Sequence, residues 1–191
     1  MAHPVSFVDA TSLMSYNREN ENEILLTYTL KNYFAVGLTY NKIEAVDFTV
    51  PRLDFLLRRW NNEDSQANIY ISGGYGYERS FHETKPVSLA SAEMDWESRK
   101  YYASAEYDHY FRDRSGVVSR QDFEESRVRV GIAPYLAEFN ELNSWLILEE
   151  QKMPDQDWQT GAYIRLFYKN VMTEVGTVFG QGMAFNFMVH F

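Results

Sequence analysis

The last nine residues of the chain, 183–191, read Met-Ala-Phe-Asn-Phe-Met-Val-His-Phe, and every second side chain is large and apolar. A period of two is the pattern of a β-strand, because successive side chains of a strand point to opposite faces. A strand of a soluble β-sandwich can show the same alternation, so one segment does not identify the solvent on the apolar side. Residues 183–191 therefore predict a strand with one wholly apolar face.

The same alternation returns along the chain, in residues 24–30, 34–40, 53–57, 69–77, 92–96, 101–107, 128–132, 162–166 and 171–179. The opposite faces of these segments carry charged residues, namely Glu23, Arg52, Asp54, Arg58, Glu78, Glu93, Asp95, Glu97, Glu106, Asp108, Arg127, Arg129, Arg165 and Glu174. The core of a soluble barrel could not hold so many charges, because burial of unpaired charge is costly. Apolar side chains outside and charges inside are typical of a transmembrane β-barrel.

The composition agrees with a β-rich membrane protein. Tyr and Phe number 14 and 13, and such aromatic residues favour strands and membrane–water interfaces. No segment reaches the ~20 consecutive apolar residues of a membrane helix. The formal charge of −9 argues against nucleic acid as a partner, and the absence of Cys excludes disulfides and thiolate metal sites.

The patterns predict an all-β, antiparallel, up-and-down barrel of twelve strands in a single domain, 1–191, with residues 1–9 as an N-terminal periplasmic segment. An alternative is a barrel of ten strands, with residues 1–21 folded inside as a plug. The strand at 143–152 is ambiguous, because Leu146 and Leu148 compete with Trp145 and Ile147 for the outer face. The predicted strands are 10–17, 22–30, 33–43, 46–60, 67–78, 88–97, 100–111, 121–134, 143–152, 158–167, 171–179 and 183–191.

The connections between these strands fit a barrel whose C-terminus is periplasmic. With twelve strands, the long polar connections 79–87 and 112–120 fall on the extracellular side, together with 153–157. Most of the periplasmic connections are short turns. The exception is 135–142, which is longer than this arrangement favours.

The C-terminal strand resembles the last strand of Gram-negative outer-membrane proteins, which ends in Phe and is read by the barrel-assembly machinery. The matching residues are Phe185, Phe187, Val189 and Phe191. The resemblance implies an integral outer-membrane protein, exported with a signal peptide that is absent from this chain. Its implied partners are outer-membrane lipid, lipopolysaccharide and the assembly machinery, and it leaves the oligomeric state open.

Three stretches, 3–16 (HPVSFVDATSLMSY), 56–76 (LLRRWNNEDSQANIYISGGYG) and 127–135 (RVRVGIAPY), look like a group of uncharacterised proteobacterial outer-membrane proteins. Some proteins of that group are associated with copper or other heavy-metal resistance. This resemblance spans most of the chain. It implies an outer-membrane location and some form of metal handling, without assigning site residues.

Few residues suggest chemistry. Asp108 and His109 are adjacent in a strand and must point to opposite faces, so they cannot form a simple catalytic dyad. We expect His109 in the interfacial aromatic belt, beside Tyr107 and Tyr110. Neither a G-x-S-x-G nor an H-E-x-x-H motif is present, and we predict no enzymatic activity and no cofactor. No metal-ligand spacing is diagnostic either, and the candidate ligands are His3, His82 and His190.

The inward charges are the most informative set for function. Acids outnumber arginines there, and Glu93, Asp95 and Glu97 form a ladder on one strand, which we expect Arg58 and Arg129 to neutralise in part. This excess predicts a narrow, cation-preferring passive channel or uptake pore. The alternatives are a structural or binding barrel with a closed, salt-bridged lumen, and an outer-membrane enzyme acting on lipid or peptide.

Overall fold

The computed structural model describes residues 3–80, 83–115, 121–138, 140–154 and 156–191, and within these ranges the chain forms twelve strands. They are β1 (Thr11–Asn17), β2 (Glu21–Lys31), β3 (Phe34–Ile43), β4 (Val46–Asn61), β5 (Ser65–Arg79), β6 (Thr84–Ser98), β7 (Tyr101–Arg112), β8 (Phe123–Ile132), β9 (Asn143–Lys152), β10 (Gln159–Tyr168), β11 (Val171–Val178) and β12 (Gly182–His190).

Each strand pairs antiparallel with its neighbour in sequence, and β12 pairs with β1, so the sheet closes into a barrel. The predicted fold and strand number are confirmed. The ten-strand alternative is wrong, because Thr11–Asn17 is a strand between β2 and β12. In the ambiguous strand, β9, Leu146 and Leu148 face outward. No helix in the described part of the chain is long and apolar enough to span a membrane.

The outer surface of the barrel has an apolar middle zone. Exposed aliphatic and aromatic side chains cover it, including Leu26, Leu38, Leu53, Ile71, Met94, Val130, Leu148, Ile164, Val175 and Phe185. In water this much contiguous apolar surface would cause aggregation, whereas a bilayer solvates it. The outside of the barrel is therefore built to face lipid.

Exposed aromatic residues form a belt at each end of this zone. One belt lies at the end of the barrel that carries both chain termini, which we call the terminal end. Its residues are Tyr33, Trp60, Trp96, Tyr101, Tyr135, Tyr168 and Phe191. The other lies at the opposite end, called the loop end, and contains Tyr40, Tyr75, Tyr77, Tyr107, Phe111, Trp158 and Phe179. Such paired belts mark the two interfaces of a membrane.

The barrel is closed by the pairing of β12 with β1, from Ser12 opposite His190 to Asn17 opposite Phe185. Two backbone hydrogen bonds extend this ladder by one residue, from Thr11 N–H to the Phe191 carbonyl at 3.2 Å and from Phe191 N–H to the Thr11 carbonyl at 2.8 Å. The four residues of the predicted assembly signal all lie on the outer face of β12 or just after it.

The N-terminal segment, residues 3–9, enters the barrel at the terminal end. Val5 is buried against Ala35 and Tyr70 of the inner wall. The Ser6 N–H donates a 3.0 Å hydrogen bond to Thr29 Oγ1. Only part of this segment, around Phe7 and Val8, is exposed. The segment therefore occupies part of the lumen, although β1 itself belongs to the wall.

The wall of the barrel differs in length around its circumference. The strands β4, β5 and β6 contain 16, 15 and 15 residues. By contrast, β1 and β11 contain 7 and 8. β6 begins at Thr84, so the connection predicted at 79–87 is shorter than the sequence suggests.

Candidate functional site: the charged interior of the barrel

One side of the interior, formed by β8 to β12, is a dense network of ion pairs. Glu174 stands at its centre and accepts hydrogen bonds from Arg129 at 2.8 Å, Arg165 at 2.6 Å and Asn186 at 2.8 Å. Arg129 also lies 3.0 Å from Glu149. Arg129 and Glu174 are 1% and 0% exposed. The centre of this network is therefore packed and inaccessible to solvent.

Aromatic rings and a residue from across the barrel complete this packed side. The guanidinium of Arg165 lies 4.6 Å from the ring centre of Tyr102, and that of Arg129 lies 5.3 Å from the ring centre of Tyr163. Arg18, in the connection between β1 and β2, reaches Glu149 at 2.9 Å. The opposite walls of the barrel are thus joined through charged side chains.

The other side of the interior carries carboxylates that lack such partners. Glu23, Glu93 and Asp108 are each 8% exposed inside the barrel, and within the described ranges none has an arginine or lysine nitrogen within 4.0 Å. Glu106 is paired with Arg127 at 3.1 Å, yet 21% of its side chain is exposed. Glu106 therefore borders space that water can enter, and Glu23, Glu93 and Asp108 are nearly buried close to it.

The two basic residues nearest these acids are engaged elsewhere. Arg52 donates hydrogen bonds to Asp54 at 2.7 Å and to Ser72 at 2.7 Å. Arg127 donates to Glu125 at 2.5 Å as well as to Glu106. The acidic surplus is therefore a property of this side of the lumen, which we call the acidic column (Glu23, Glu93, Glu106 and Asp108).

Toward the loop end the interior becomes apolar. Phe48, Tyr110 and Phe123 pack with ring centres 4.8 to 5.8 Å apart. Ile43, Val50, Val87, Leu89 and Met153 complete the same cluster. Tyr110 was predicted in the outer belt beside His109, and this is wrong, since Tyr110 shares the inward parity of Asp108. The neighbours of His109 on the outer face are Tyr107 and Phe111.

At the terminal end, the interior contains a cavity of about 450 Å³. His3, Glu97, Arg165 and His190 are among its lining residues. A 2.6 Å hydrogen bond joins His190 Nδ1 to Ser12 Oγ. His190 is thus held by the wall of the barrel, and His82 lies outside the described residues.

Arg58 does not line the lumen, contrary to the prediction. A β-bulge between Leu56 and Arg58 shifts the register against β5 and places Arg58 opposite Ile69, on the outer face. There its guanidinium lies 5.4 Å from the ring centre of Trp60. Arg59 takes the inward position instead and donates a 2.6 Å hydrogen bond to Asn68 Oδ1.

The three acids of the predicted ladder on β6, Glu93, Asp95 and Glu97, lie in three different environments. Glu93 belongs to the acidic column, and Glu97 is half-buried at the cavity. Asp95 accepts a 2.8 Å hydrogen bond from Asn68 and lies 3.3 Å from His3. Since Arg58 is outside the barrel and Arg129 is bound to Glu149 and Glu174, neither neutralises the ladder as expected. Of the other predicted lumen residues, Glu78 lies inside and pairs with Arg112 at 2.5 Å.

No protein-family model matches this chain, and no curated protein does. The solved structures that share its fold include two porin structures. They are a KdgM porin, with a TM-score of 0.52 and 13% identity, and a KdgM porin in complex with disordered oligogalacturonate, with a TM-score of 0.52 and 12% identity. Each comparison covers 95% of this chain and 98% of the other chain.

At this identity the likeness concerns the fold, which is that of a porin-type barrel. The comparisons give no support to the metal-resistance part of the sequence resemblance. Function must therefore be argued from the interior itself.

Sequence analysis missed several inward charges, namely Arg18, Glu21, Arg59, Arg112, Glu125 and Glu149. Strict alternation would have found Glu125, two residues before Arg127, and Arg112, four residues after Asp108. Glu149 follows once Leu148 is placed outside. Arg18 lies in a connection, where alternation gives no information.

At the loop end, His109 faces outward and is surrounded by acids. Its ring nitrogens lie 3.2 Å from Glu124 and 3.6 Å from Asp122. A hydrogen bond from the Arg112 backbone N–H lowers the pKa of Asp122, so this loop carboxylate remains charged. Asp108 points into the lumen, as predicted, and His109 and Asp108 do not form a dyad.

Proposed function

We propose that this protein is an integral outer-membrane protein that acts as a narrow, passive, cation-preferring pore. The observation that carries the proposal is the acidic column, because unpaired carboxylates beside water-accessible space attract cations and repel anions. The apolar middle zone and its two aromatic belts support the membrane location. The even number of antiparallel strands supports the outer membrane, with the terminal end periplasmic.

The acidic column also bears on the class of molecule that this barrel would admit. Oligogalacturonate, named with one KdgM porin, carries a carboxylate on each sugar unit. A polyanion would be repelled by Glu23, Glu93, Glu106 and Asp108 at close range. We therefore infer small cations rather than acidic sugars as the permeating species. The packed side and the loop-end apolar cluster predict a low conductance.

Ion preference can be tested by measuring the reversal potential of the refolded protein in a planar bilayer across a KCl gradient. The wild type should prefer K⁺. The double variant Glu23→Gln with Asp108→Asn should lose much of that preference, because it removes two unpaired lumen charges. Glu138→Gln, which changes an exposed acid in a turn at the terminal end, is the matched control. An anion preference in the wild type would contradict the proposal.

The packed side favours a second candidate, a structural or binding barrel with a closed lumen. The network around Glu174 and Arg129 joins opposite walls, and both side chains are inaccessible to solvent. Folded protein that inserts into the bilayer but never conducts would favour this second function over the pore.

The assembly signal supports a further part of the proposal, namely that the barrel-assembly machinery recognises β12. Deletion of Phe191 should strongly reduce the folded, heat-modifiable form in outer-membrane fractions, because it removes an exposed ring and two backbone hydrogen bonds at the closing seam. Deletion of the similarly exposed Phe7 is the control. Unchanged amounts of folded protein without Phe191 would contradict this role.

A further inference from the structure

We propose that His3, Glu93 and Asp95 form a zinc-class divalent cation site that fastens the N-terminal segment to the inner wall of the barrel. His3 belongs to the segment, whereas both acids belong to β6. A shared metal ion would therefore bridge a part of the chain that enters the lumen and a part that builds the wall.

The three side chains bring possible ligand atoms close together, and one pair lies at a metal-binding distance. One atom from each of the three side chains lies within 4.8 Å of the other two. His3 Nδ1 and Asp95 Oδ2 are 3.3 Å apart. Two ligands at about 2.0–2.1 Å from a tetrahedral zinc ion are separated by about 3.3 Å. The His3–Asp95 pair thus matches one edge of a zinc coordination tetrahedron.

Each of the three side chains also has a buried polar atom that lacks a hydrogen-bond partner. His3 Nδ1, Glu93 Oε1 and Asp95 Oδ2 are buried, and none makes a hydrogen bond of acceptable geometry in the described part of the chain. The Asp95 side chain is 0% exposed, so water cannot supply the missing partner freely. Buried polar atoms without partners are rare and costly in native proteins. A cation between them would satisfy all three.

Neighbouring residues hold the ligands as an outer shell does in metalloproteins. Asp95 uses its other oxygen, Oδ1, to accept a 2.8 Å hydrogen bond from Asn68. Asn68 is fixed in turn by the 2.6 Å hydrogen bond from Arg59. The ring of His3 lies against Tyr70, with centres 5.7 Å apart. Such outer contacts orient ligands and raise metal affinity.

The ligand set selects the class of metal. One imidazole with two carboxylates suits zinc and similar borderline ions, whereas Mg²⁺ and Ca²⁺ prefer oxygen ligands alone. His3 also lines the cavity of about 450 Å³ at the terminal end, which gives an ion a route to the site. Metal binding would add one link to the contacts that Val5 and Ser6 make with the wall. The N-terminal segment would then leave its position inside the barrel less often.

Isothermal titration of ZnCl₂ into the refolded protein in detergent tests the site directly. The wild type should bind one zinc ion, and His3→Gln and Asp95→Asn should each weaken binding at least tenfold. His109→Gln, at the opposite end of the barrel, should bind like the wild type, and MgCl₂ should not compete. Heat-modifiable mobility on gels establishes that each variant is folded.

Tethering is measured separately. The chain has no Cys, so spin labels on Val8→Cys and Glu138→Cys report the position of the segment relative to the β8–β9 connection. Zinc should narrow their distance distribution in the wild-type background and leave it unchanged with His3→Gln. Absence of zinc binding by the wild type, or equal binding by His3→Gln, would overturn the site. Binding without any change in the distances would overturn the tether. All of these readouts are independent of conductance.

Discussion

Glu174→Gln should lower the free energy of unfolding by about 3–5 kcal/mol, the cost of removing one partner from a buried ion pair. The substitution preserves the size of the side chain but removes the negative charge that Arg129 and Arg165 share at 2.8 and 2.6 Å. Both guanidinium groups are buried, and Arg165 would lose its bond to a carboxylate whereas Arg129 would keep Glu149 at 3.0 Å. Urea unfolding followed by tryptophan fluorescence measures the difference.

Glu138→Gln is the matched control, because it neutralises an acid whose side chain is 74% exposed and whose ion pair with Arg99 is solvated. It should change the free energy of unfolding by less than about 1 kcal/mol, as exposed ion pairs usually do. If Glu174→Gln were as mild as this control, the packed side would not be a stabilising network.

Ile164→Arg should lower the free energy of unfolding in lipid vesicles by about 2–4 kcal/mol, the range for arginine on the lipid face at mid-height. Ile164 lies near the middle of β10 and is 55% exposed on the apolar outer zone. Tyr168→Arg tests the depth dependence on the same strand. At the membrane interface arginine should cost only about 0–1 kcal/mol. Equal costs at both positions would mean that the outer zone does not face hydrocarbon.

Alternation identifies the outer and inner faces reliably where a strand is regular, as in β2 and β12. There the apolar parity of Leu26 and Phe185 is unbroken, and one misplaced residue would reverse the whole face. The same dependence explains the failure at Arg58. A bulge inserts one extra residue, and nothing in the run Leu56 to Arg59 indicates where the register shifts.

The contacts between side chains inside the lumen are harder to predict than which face of a strand each side chain occupies. Parity placed Glu174, Arg129 and Arg165 inside, but their pairing depends on which strands meet across the barrel. Parity also places Phe48 with Arg52 and Tyr110 with Asp108 on the inner face, but it does not show that the two rings meet in an apolar cluster. The prediction that the barrel interior is charged is correct for the middle of the lumen, but the loop end of the lumen is apolar.

The position of His3 could not be predicted at all. It is separated from Asp95 by most of the first half of the chain and lies outside any strand, so periodicity says nothing about its contacts. Only the closed wall brings it beside β6. A site that combines an irregular segment with a strand can be recognised only from the tertiary structure.

The unequal strands around the circumference have a consequence for the lipid rather than for the protein. At about 3.3 Å per residue and a tilt of about 45°, the 8 residues of β11 cross only about 19 Å, less than the apolar band of about 25 Å that such barrels usually present. The 15 residues of β5 exceed that thickness. The bilayer must therefore be thinner beside β11, β12 and β1 than beside β4 to β6, or the barrel must lean. In a barrel that does not lean, the seam that closes it borders the thinnest lipid around the protein.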